Sequence, residues 1–213
     1  MNNKFSKVLD GMSGSLIMAI AILTSFIPYW RQWGATAEEV ESDLPGDEIV
    51  PSPRGGFNQA ITVGVSRDLV WQWVAQIGQD RGGFYSYDFL ENIAGCQIHS
   101  ANDIIPEFEH TPESEGLKMH PTMPSMPLVK IDKPGTLLFG GEIDPETPVS
   151  WLFYLEETED GVTRLTARWR YGYGSGIVTA IGYRLFLQPI ACVMQRRMLI
   201  GIKNRAENGE KHN

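Results

Sequence analysis

The feature that most constrains the fold is a long run of regularly spaced apolar residues near the carboxyl end, GIVTAIGYRLFLQPIACVMQRRMLIGIKNRAEN. Apolar side chains recur in it at Ile177, Ile181, Leu185, Ile190, Met194, Met198 and Ile202. This spacing predicts one long amphipathic helix. We expect Pro189 to bend it, because proline has no N–H to donate to the preceding turn. A helix with an apolar face needs a second layer to cover that face.

The residues before this run supply a sheet. Pro134 and Gly135 separate LVKIDK from TLLFGGE, and EDGV separates VSWLFYLEET from TRLTARWRYGY, as in two β-hairpins. An earlier strand is predicted by FNQAITVGV, and two short helices by SRDLVWQWVAQIG and SYDFLENIAG. The order of elements therefore predicts an α+β fold in which a curved antiparallel sheet is covered by the long C-terminal helix.

Alternation along the second hairpin assigns its two faces. One face carries Trp151, Phe153, Leu155, Leu165, Ala167, Trp169 and Tyr171. The other face carries Arg164, Thr166, Arg168 and Arg170. A slip of one residue in the strand register would exchange the two sets.

The amino-terminal segment, residues 1–30, is predicted to be a membrane anchor. No charge occurs from Gly11 to Trp30, and as a helix this run would extend about 30 Å, the thickness of a bilayer core. Lys4 and Lys7 precede it, and the residues after it are acidic, which favours an extracytoplasmic domain on a single-pass cell-membrane protein. A cleaved signal peptide and a helix packed on the domain remain alternatives.

The rest of the chain divides into three parts. Residues 31–56 are a polar connector in which LPGDEIVPSPRGG favours an extended strap over a helix. Residues 57–207 form the folded domain, and residues 208–213 are predicted to be a disordered tail.

Composition excludes several kinds of function. A net charge of −8 and a pI near 5.0 argue against binding to nucleic acid. The four histidines, His99, His110, His120 and His212, lack the tight spacing of metal ligands, so we predict neither a metal nor another cofactor. Cys96 and Cys192 form no CxxC pair, and two free thiols are favoured over one disulfide.

The order of elements resembles the helix-grip fold of the START-like, or SRPBCC, superfamily, which includes lipid-transfer domains and polyketide cyclases or dehydrases. The similarity covers residues 57–207. Its more specific motifs are similar to a bacterial branch whose members mostly lack a known activity: RQWGATAEEV, LPGDEIVP, GGFYSYDFLEN, IHSANDIIPE and RRMLIGIKNRAE. The resemblance implies a deep apolar cavity between the sheet and the long helix.

Aromatic and apolar side chains are the candidates to line that cavity. Tyr and Trp bury a ring and still offer a hydrogen bond, which suits a mostly apolar pocket. The candidate ligand-binding residues are Trp73, Phe84, Tyr85, Tyr87, Asp88, Phe89, Trp151, Phe153, Trp169, Tyr171 and Met194. The alternative is that these aromatic rings only pack the helices onto the sheet.

Asp88 and His99 are the candidates for catalysis. Burying the Asp88 carboxylate unpaired would be costly, so we expect it to pair with Arg168 or Arg170 or to lie on a helix surface. The functional alternative is a general base with a raised pKa. His99 is a candidate acid or base.

These observations leave three hypotheses open. The first is a membrane-tethered domain that binds a hydrophobic small molecule or lipid. The second is a cyclase-like or dehydratase-like enzyme that uses Asp88, Tyr85, Tyr87 and His99 on a polyketide-like substrate. The third is a structural partner domain, which would expose a large apolar patch.

Overall fold

The computed structural model describes residues 29–108, 116–142 and 147–210. The predicted membrane anchor lies outside these residues except for Tyr29 and Trp30, and the predicted tail lies outside them from residue 211. The helices are α1 (Ala37–Glu41), α2 (Arg67–Ala75), α3 (Asp88–Ile93), α4 (Ile177–Gly182) and α5 (Gln188–Glu210). The strands are β1 (Gly55–Val63), β2 (Leu128–Asp132), β3 (Thr136–Glu142), β4 (Pro148–Glu157) and β5 (Thr163–Tyr171).

The five strands form one antiparallel sheet in the order β1-β5-β4-β3-β2. In the β4–β5 register, Trp151 lies opposite Trp169, and Leu155 lies opposite Leu165. Cross-strand pairs of large apolar side chains stabilise such a sheet. The predicted α+β class, the antiparallel sheet and the long C-terminal helix are confirmed.

The long helix is continuous from Ile177 to Gly209. A π-helical segment, Tyr183–Leu187, joins α4 to α5. This irregularity comes directly before Pro189, which lacks the N–H that a regular helix would use to bond to the Leu185 carbonyl. The irregularity in this part of the helix is thus a wider, π-helical turn, and the bend at Pro189 stays a prediction.

The second half of this helix, with α2, covers the apolar face of the sheet. Leu199 and Ile202 of α5 and Val70 and Val74 of α2 are fully buried in the same core. The helix α2 ends at Ala75, three residues before the glycine that its sequence pattern indicates. Burial of these apolar side chains is the main stabilising contribution of both helices.

The connector, residues 31–56, packs on the opposite, polar face of the sheet. It contains α1, which begins with a capping box between Thr36 and Glu39. The Arg168 guanidinium donates to Asp47 Oδ2 (2.7 Å), and Arg164 Nε donates to Glu39 Oε1 (2.6 Å). The connector is thus fixed to the sheet by ion pairs with strand β5.

The predicted pairing of Asp88 with Arg168 or Arg170 is wrong. Both arginines form ion pairs with Asp47 of the connector. They lie on the polar face of β5, while Asp88 is on α3, on the other side of the sheet. The strand alternation that places Trp169 on the apolar face necessarily turns its two neighbours away from it.

Candidate ligand-binding cavity

A cavity of about 390 Å³ lies between the apolar face of the sheet and the C-terminal helix. Its walls come from β1, β4 and β5, from the helix between Tyr183 and Met198, and from the segment around α3. The aromatic lining residues are Phe57, Phe84, Trp151, Trp169, Tyr171 and Tyr183, and four thioethers come from Met119, Met123, Met194 and Met198. Met123 and Leu187 line the cavity, and their side chains are 54% and 52% exposed. The cavity therefore opens to solvent beside these two residues.

Hydrogen bonds fix the polar atoms of the aromatic wall. The Trp151 indole N–H donates to Gln195 Oε1 (3.0 Å), and the Gln195 amide donates to the Ala167 carbonyl (2.9 Å). The Tyr171 hydroxyl donates to Gln188 Oε1 (2.9 Å), and burial raises the pKa of Tyr171. Because these polar atoms are already bonded, the wall presents mainly ring surfaces to the cavity.

The aromatic rings also position one another. The centroids of Trp151 and Trp169 are 4.6 Å apart, and Phe84 stacks on Trp151 at 6.2 Å. Tyr183 of the helix stacks on Tyr173 at 4.8 Å, beyond the end of β5. Such contacts add stability beyond the burial of area and make the wall rigid.

Glu91 is the one carboxylate among the lining residues that the structure describes. Its Oε2 atom is buried and has no hydrogen-bond partner within the described part of the chain. Burial, with a smaller contribution from the negative charge of Asp88, raises the pKa of Glu91 to about 7. The cavity therefore combines apolar walls with one carboxyl that is partly protonated near neutral pH.

Cys96 lies beside this carboxyl and also lines the cavity. Burial, and secondarily the charge of Glu91, raises the pKa of its thiol. The thiol contacts the Met119 carbonyl at 3.7 Å. Cys96 and Cys192 are both free, as the sequence favours. A thiol with a raised pKa is a poor nucleophile, so Cys96 acts here as a small apolar wall residue.

Some of the predicted ligand-binding residues line the cavity and others do not. The lining candidates are Phe84, Trp151, Trp169, Tyr171 and Met194. Trp73, Tyr85 and Phe153 are buried in the core but are not part of the wall. Tyr87, which precedes α3, and Phe89 within it are exposed, and the Arg197 guanidinium lies 5.8 Å from the Tyr87 ring.

Neither catalytic candidate lines the cavity. The Asp88 carboxylate accepts hydrogen bonds from the Ser100 backbone N–H (2.8 Å) and from the Ser100 hydroxyl (2.6 Å). His99, which directly precedes Ser100, is exposed. Asp88 therefore connects the start of α3 to the loop that follows the helix.

The remaining histidines do not converge on a site. His120 is within hydrogen-bonding distance of the Ala94 carbonyl (3.3 Å), while His110 and His212 lie outside the described residues. Within the described ranges, no group of three or more His, Cys, Asp and Glu side chains is placed to bind a metal ion.

Residues of the cavity wall that the sequence does not predict include Glu91, Tyr183, Gln188 and Gln195. Gln188 and Gln195 are seven residues apart, so they share one face of the helix within an otherwise apolar run. That spacing was an available signal for polar groups facing a pocket. Glu91 carries no such signal, because the direction in which its side chain faces depends on where the short helix α3 begins.

A second cleft, of about 360 Å³, lies on the polar face of the sheet between the connector and β5. Its arginines already have partners. Arg168 and Arg170 form ion pairs with Asp47, and Arg31 Nε donates to the Gly56 carbonyl (2.7 Å). These internal pairs identify the cleft as the boundary between connector and sheet rather than as the candidate site.

The outer face of the C-terminal helix is apolar and exposed. Its exposed side chains are Ile177, Val178, Ile181, Leu185, Phe186, Leu187, Ile190 and Val193. By length and composition this helix could cross a membrane, a property that core helices of soluble proteins share. Only 11% of its most apolar stretch is buried, however, which is little for a core helix.

Fold and site together define an α+β protein in which a five-stranded antiparallel sheet and a long helix enclose an apolar cavity. No protein-family model matches the chain, and no curated protein matches its sequence.

Solved structures of similar arrangement include the protein MLL2253 from Mesorhizobium loti, at 10% identity and a TM-score of 0.38, covering 72% of this chain and 98% of that one. A conserved protein from Geobacillus kaustophilus has 20% identity and a TM-score of 0.39, covering 72% and 95%. CalU16 from Micromonospora echinospora has 13% identity and a TM-score of 0.32, covering 73% and 88%. Likeness at this level establishes neither a family nor a function, so membership of the START-like superfamily stays a prediction.

Proposed function

We propose that this chain binds a hydrophobic small molecule or lipid in the cavity between the sheet and the C-terminal helix. The observation that carries the proposal is an apolar cavity of about 390 Å³ whose aromatic wall is fixed by internal hydrogen bonds. Small-molecule sites are typically about 300–1,000 Å³, mostly apolar, with few orienting polar groups. A cavity of this size in a tightly packed interior is unusual unless something occupies it.

A variant pair on one turn of the helix tests this proposal. Ala191 lines the cavity, whereas the neighbouring Ile190 is exposed on the outer face. Ala191→Phe places a ring in the cavity and should weaken binding of a hydrophobic probe, such as an anilinonaphthalene dye, by about tenfold or more. Ile190→Phe adds the same ring outside and should leave probe affinity unchanged.

Fluorescence titration of the detergent-purified full chain measures both variants. If the wild-type chain binds no probe, or if Ala191→Phe binds as well as Ile190→Phe does, the cavity is not a binding site and the proposal fails.

The enzymatic alternative gains no support from the residues on which it depends. A cyclase or dehydratase needs titratable groups that converge on the substrate. Asp88, His99, Tyr85 and Tyr87 all lie away from the cavity wall. We therefore do not adopt it as a second function.

We also propose that the chain is attached to a membrane and that the outer face of its C-terminal helix contacts the lipid. The Gln59 amide donates to the Trp30 carbonyl (2.7 Å) and to the Cys192 carbonyl (3.0 Å). Trp30 therefore lies beside Cys192, next to the exposed apolar face. Exposed Tyr29 and Trp30 rings at this place suit a membrane–water interface.

The contacts of this helix favour lying along the membrane over crossing it. Tyr183 stacks on Tyr173, and Gln188 accepts from Tyr171, so the apolar run is packed on the sheet along its inner side. A crossing helix would have to carry these strand residues into the hydrocarbon. An interfacial helix needs only its outer face to be apolar.

Site-directed fluorescence tests this attachment. A fluorophore on Phe186→Cys, in a Cys96→Ala background, should be quenched by bromine-bearing lipids when the full chain is in vesicles. A fluorophore on Glu157→Cys, an exposed site at the far end of β4, should not be quenched. If position 186 is shielded from water-soluble quenchers but insensitive to lipid-borne ones, a protein surface covers the face, and the proposal is wrong.

A further inference from the structure

Glu91 occupies an unusual position in the cavity wall. It lies on α3, in a part of the wall that also contains Cys96, Ile98 and Met119. Cys96, Ile98 and Met119 offer a thiol, an alkyl chain and a thioether, and the Ser86 hydroxyl of the same segment donates to the Met194 carbonyl (2.9 Å). Its Oε2 atom is buried without a partner in the described part of the chain. A buried carboxylate oxygen in such surroundings costs free energy unless a donor reaches it.

The charged groups around α3 are engaged elsewhere. Asp88, on the same helix, accepts from Ser100 and repels a charge on Glu91. Arg197 lies over the Tyr87 ring, and Arg205 donates to the Ala101 carbonyl (2.7 Å).

The other titratable neighbours that the structure describes also give Glu91 no positive partner. His120 contacts the Ala94 carbonyl and Thr122, and Cys96 follows in the loop with its thiol directed to Met119. Within the described part of the chain, Glu91 thus brings a carboxyl acceptor to an apolar cavity without a donor of its own.

We propose that Glu91 is the polar recognition residue of the cavity, and that the ligand is a hydrophobic molecule carrying a hydrogen-bond donor, a hydroxyl or an ammonium group, that binds the Glu91 carboxyl group. This inference rests on the proposed function of the cavity. Molecules with a carboxylate or a phosphate at the polar end are disfavoured wherever Glu91 is ionised, because two like charges would then meet in an apolar cavity. The apolar wall of rings and thioethers takes the remainder of the ligand.

Matched ligands with the same chain separate the polar contact from the apolar one. 1-Decanol donates a hydrogen bond, while decyl methyl ether can only accept one; decylamine carries a positive charge and decanoate a negative one. Binding of each is measured by displacement of a fluorescent hydrophobic probe from the full chain in detergent. We expect 1-decanol to bind about tenfold more tightly than the ether. Decylamine should bind more tightly at pH 8 than at pH 6. Decanoate should bind less tightly at pH 8 than at pH 6.

Glu91→Leu removes the acceptor and keeps an apolar side chain of similar size. The variant should bind the ether as the wild type does and should lose the preference for 1-decanol. Glu157→Leu, at an exposed site outside the cavity, should keep that preference. Glu91→Gln keeps an acceptor without a charge, so it should retain the preference for 1-decanol and lose the pH dependence of decylamine binding.

The outcomes distinguish this inference from the proposed function. If the wild type binds neither 1-decanol nor the ether, the cavity proposal itself fails. If it binds both with equal affinity, or if Glu91→Leu keeps the preference for 1-decanol, the cavity is a site but Glu91 does not recognise the ligand. Tighter binding of decanoate than of decylamine at pH 8 would also overturn the inference.

Discussion

Replacing Glu91 by glutamine should change how the stability of the protein depends on pH. Burial raises the pKa of this carboxyl from an ordinary 4.5 to about 7 in the folded protein. Between these two values the folded chain binds more protons than the unfolded chain. The contribution of Glu91 to the unfolding free energy is therefore most favourable at low pH, and it declines as the pH rises towards 7.

The structure sets the magnitude. Each pH unit between the two pKa values corresponds to about 1.4 kcal/mol of unfolding free energy. The interval between pH 5.5 and 7 therefore represents up to about 2 kcal/mol. Glu91 is only partly buried, and solvent screening reduces the expected effect to about 1 kcal/mol. Wild type should lose about this much more unfolding free energy than Glu91→Gln when the pH is raised from 5.5 to 8.

The assay is urea unfolding of the full chain in detergent, followed by tryptophan fluorescence at both pH values. Glu157→Gln, at an exposed position of β4, is the matched control and should follow the wild type. If Glu91→Gln and the wild type lose the same unfolding free energy over this range, Glu91 is not a desolvated carboxyl, and the reasoning about its burial is refuted.

Two further predictions concern the fold that forms the cavity. Asp47→Ala leaves the buried Arg168 guanidinium without its carboxylate and should lower the unfolding free energy by about 3 kcal/mol, whereas Lys118→Ala breaks only the exposed pair with Asp80 and should change it little; equal effects in urea unfolding would contradict the role of the connector. Gly201→Ala should lower the melting temperature, because its added methyl would lie 2.2 Å from the Tyr85 carbonyl oxygen. Gly209→Ala, where nothing lies within 4 Å, should raise it slightly; a stable Gly201→Ala variant would show that α5 does not pack this closely on Tyr85.

Much of the fold follows from sequence patterns because the patterns are local. The alternation in β4 and β5 predicted which side chains share a face, and the observed register pairs Trp151 with Trp169 accordingly. The spacing of apolar residues from Ile177 onward predicted the continuous helix. Turn residues at Pro134 and Gly135 predicted the β2–β3 hairpin.

The cavity could be predicted only in part, because its lining depends on contacts between distant segments. The aromatic residues of the strands were identified by alternation, but Tyr87 and Phe89 are exposed and Glu91 faces the cavity. A helix as short as α3 turns its faces according to where it begins, and Asp88 is fixed at that start by Ser100, twelve positions along the chain. Local sequence contains no signal for this contact, nor for the pairing of Arg168 with Asp47.

Native mass spectrometry of the full chain, released from detergent after mild purification, tests the central claim most directly. The account predicts an additional mass from a co-purified hydrophobic compound on the wild type and on Ile190→Phe, and its absence from Ala191→Phe. An unliganded wild-type mass, together with failure of a hydrophobic probe to bind, would contradict the account. So would an equal ligand load on Ala191→Phe, because the compound would then be bound elsewhere than in the cavity.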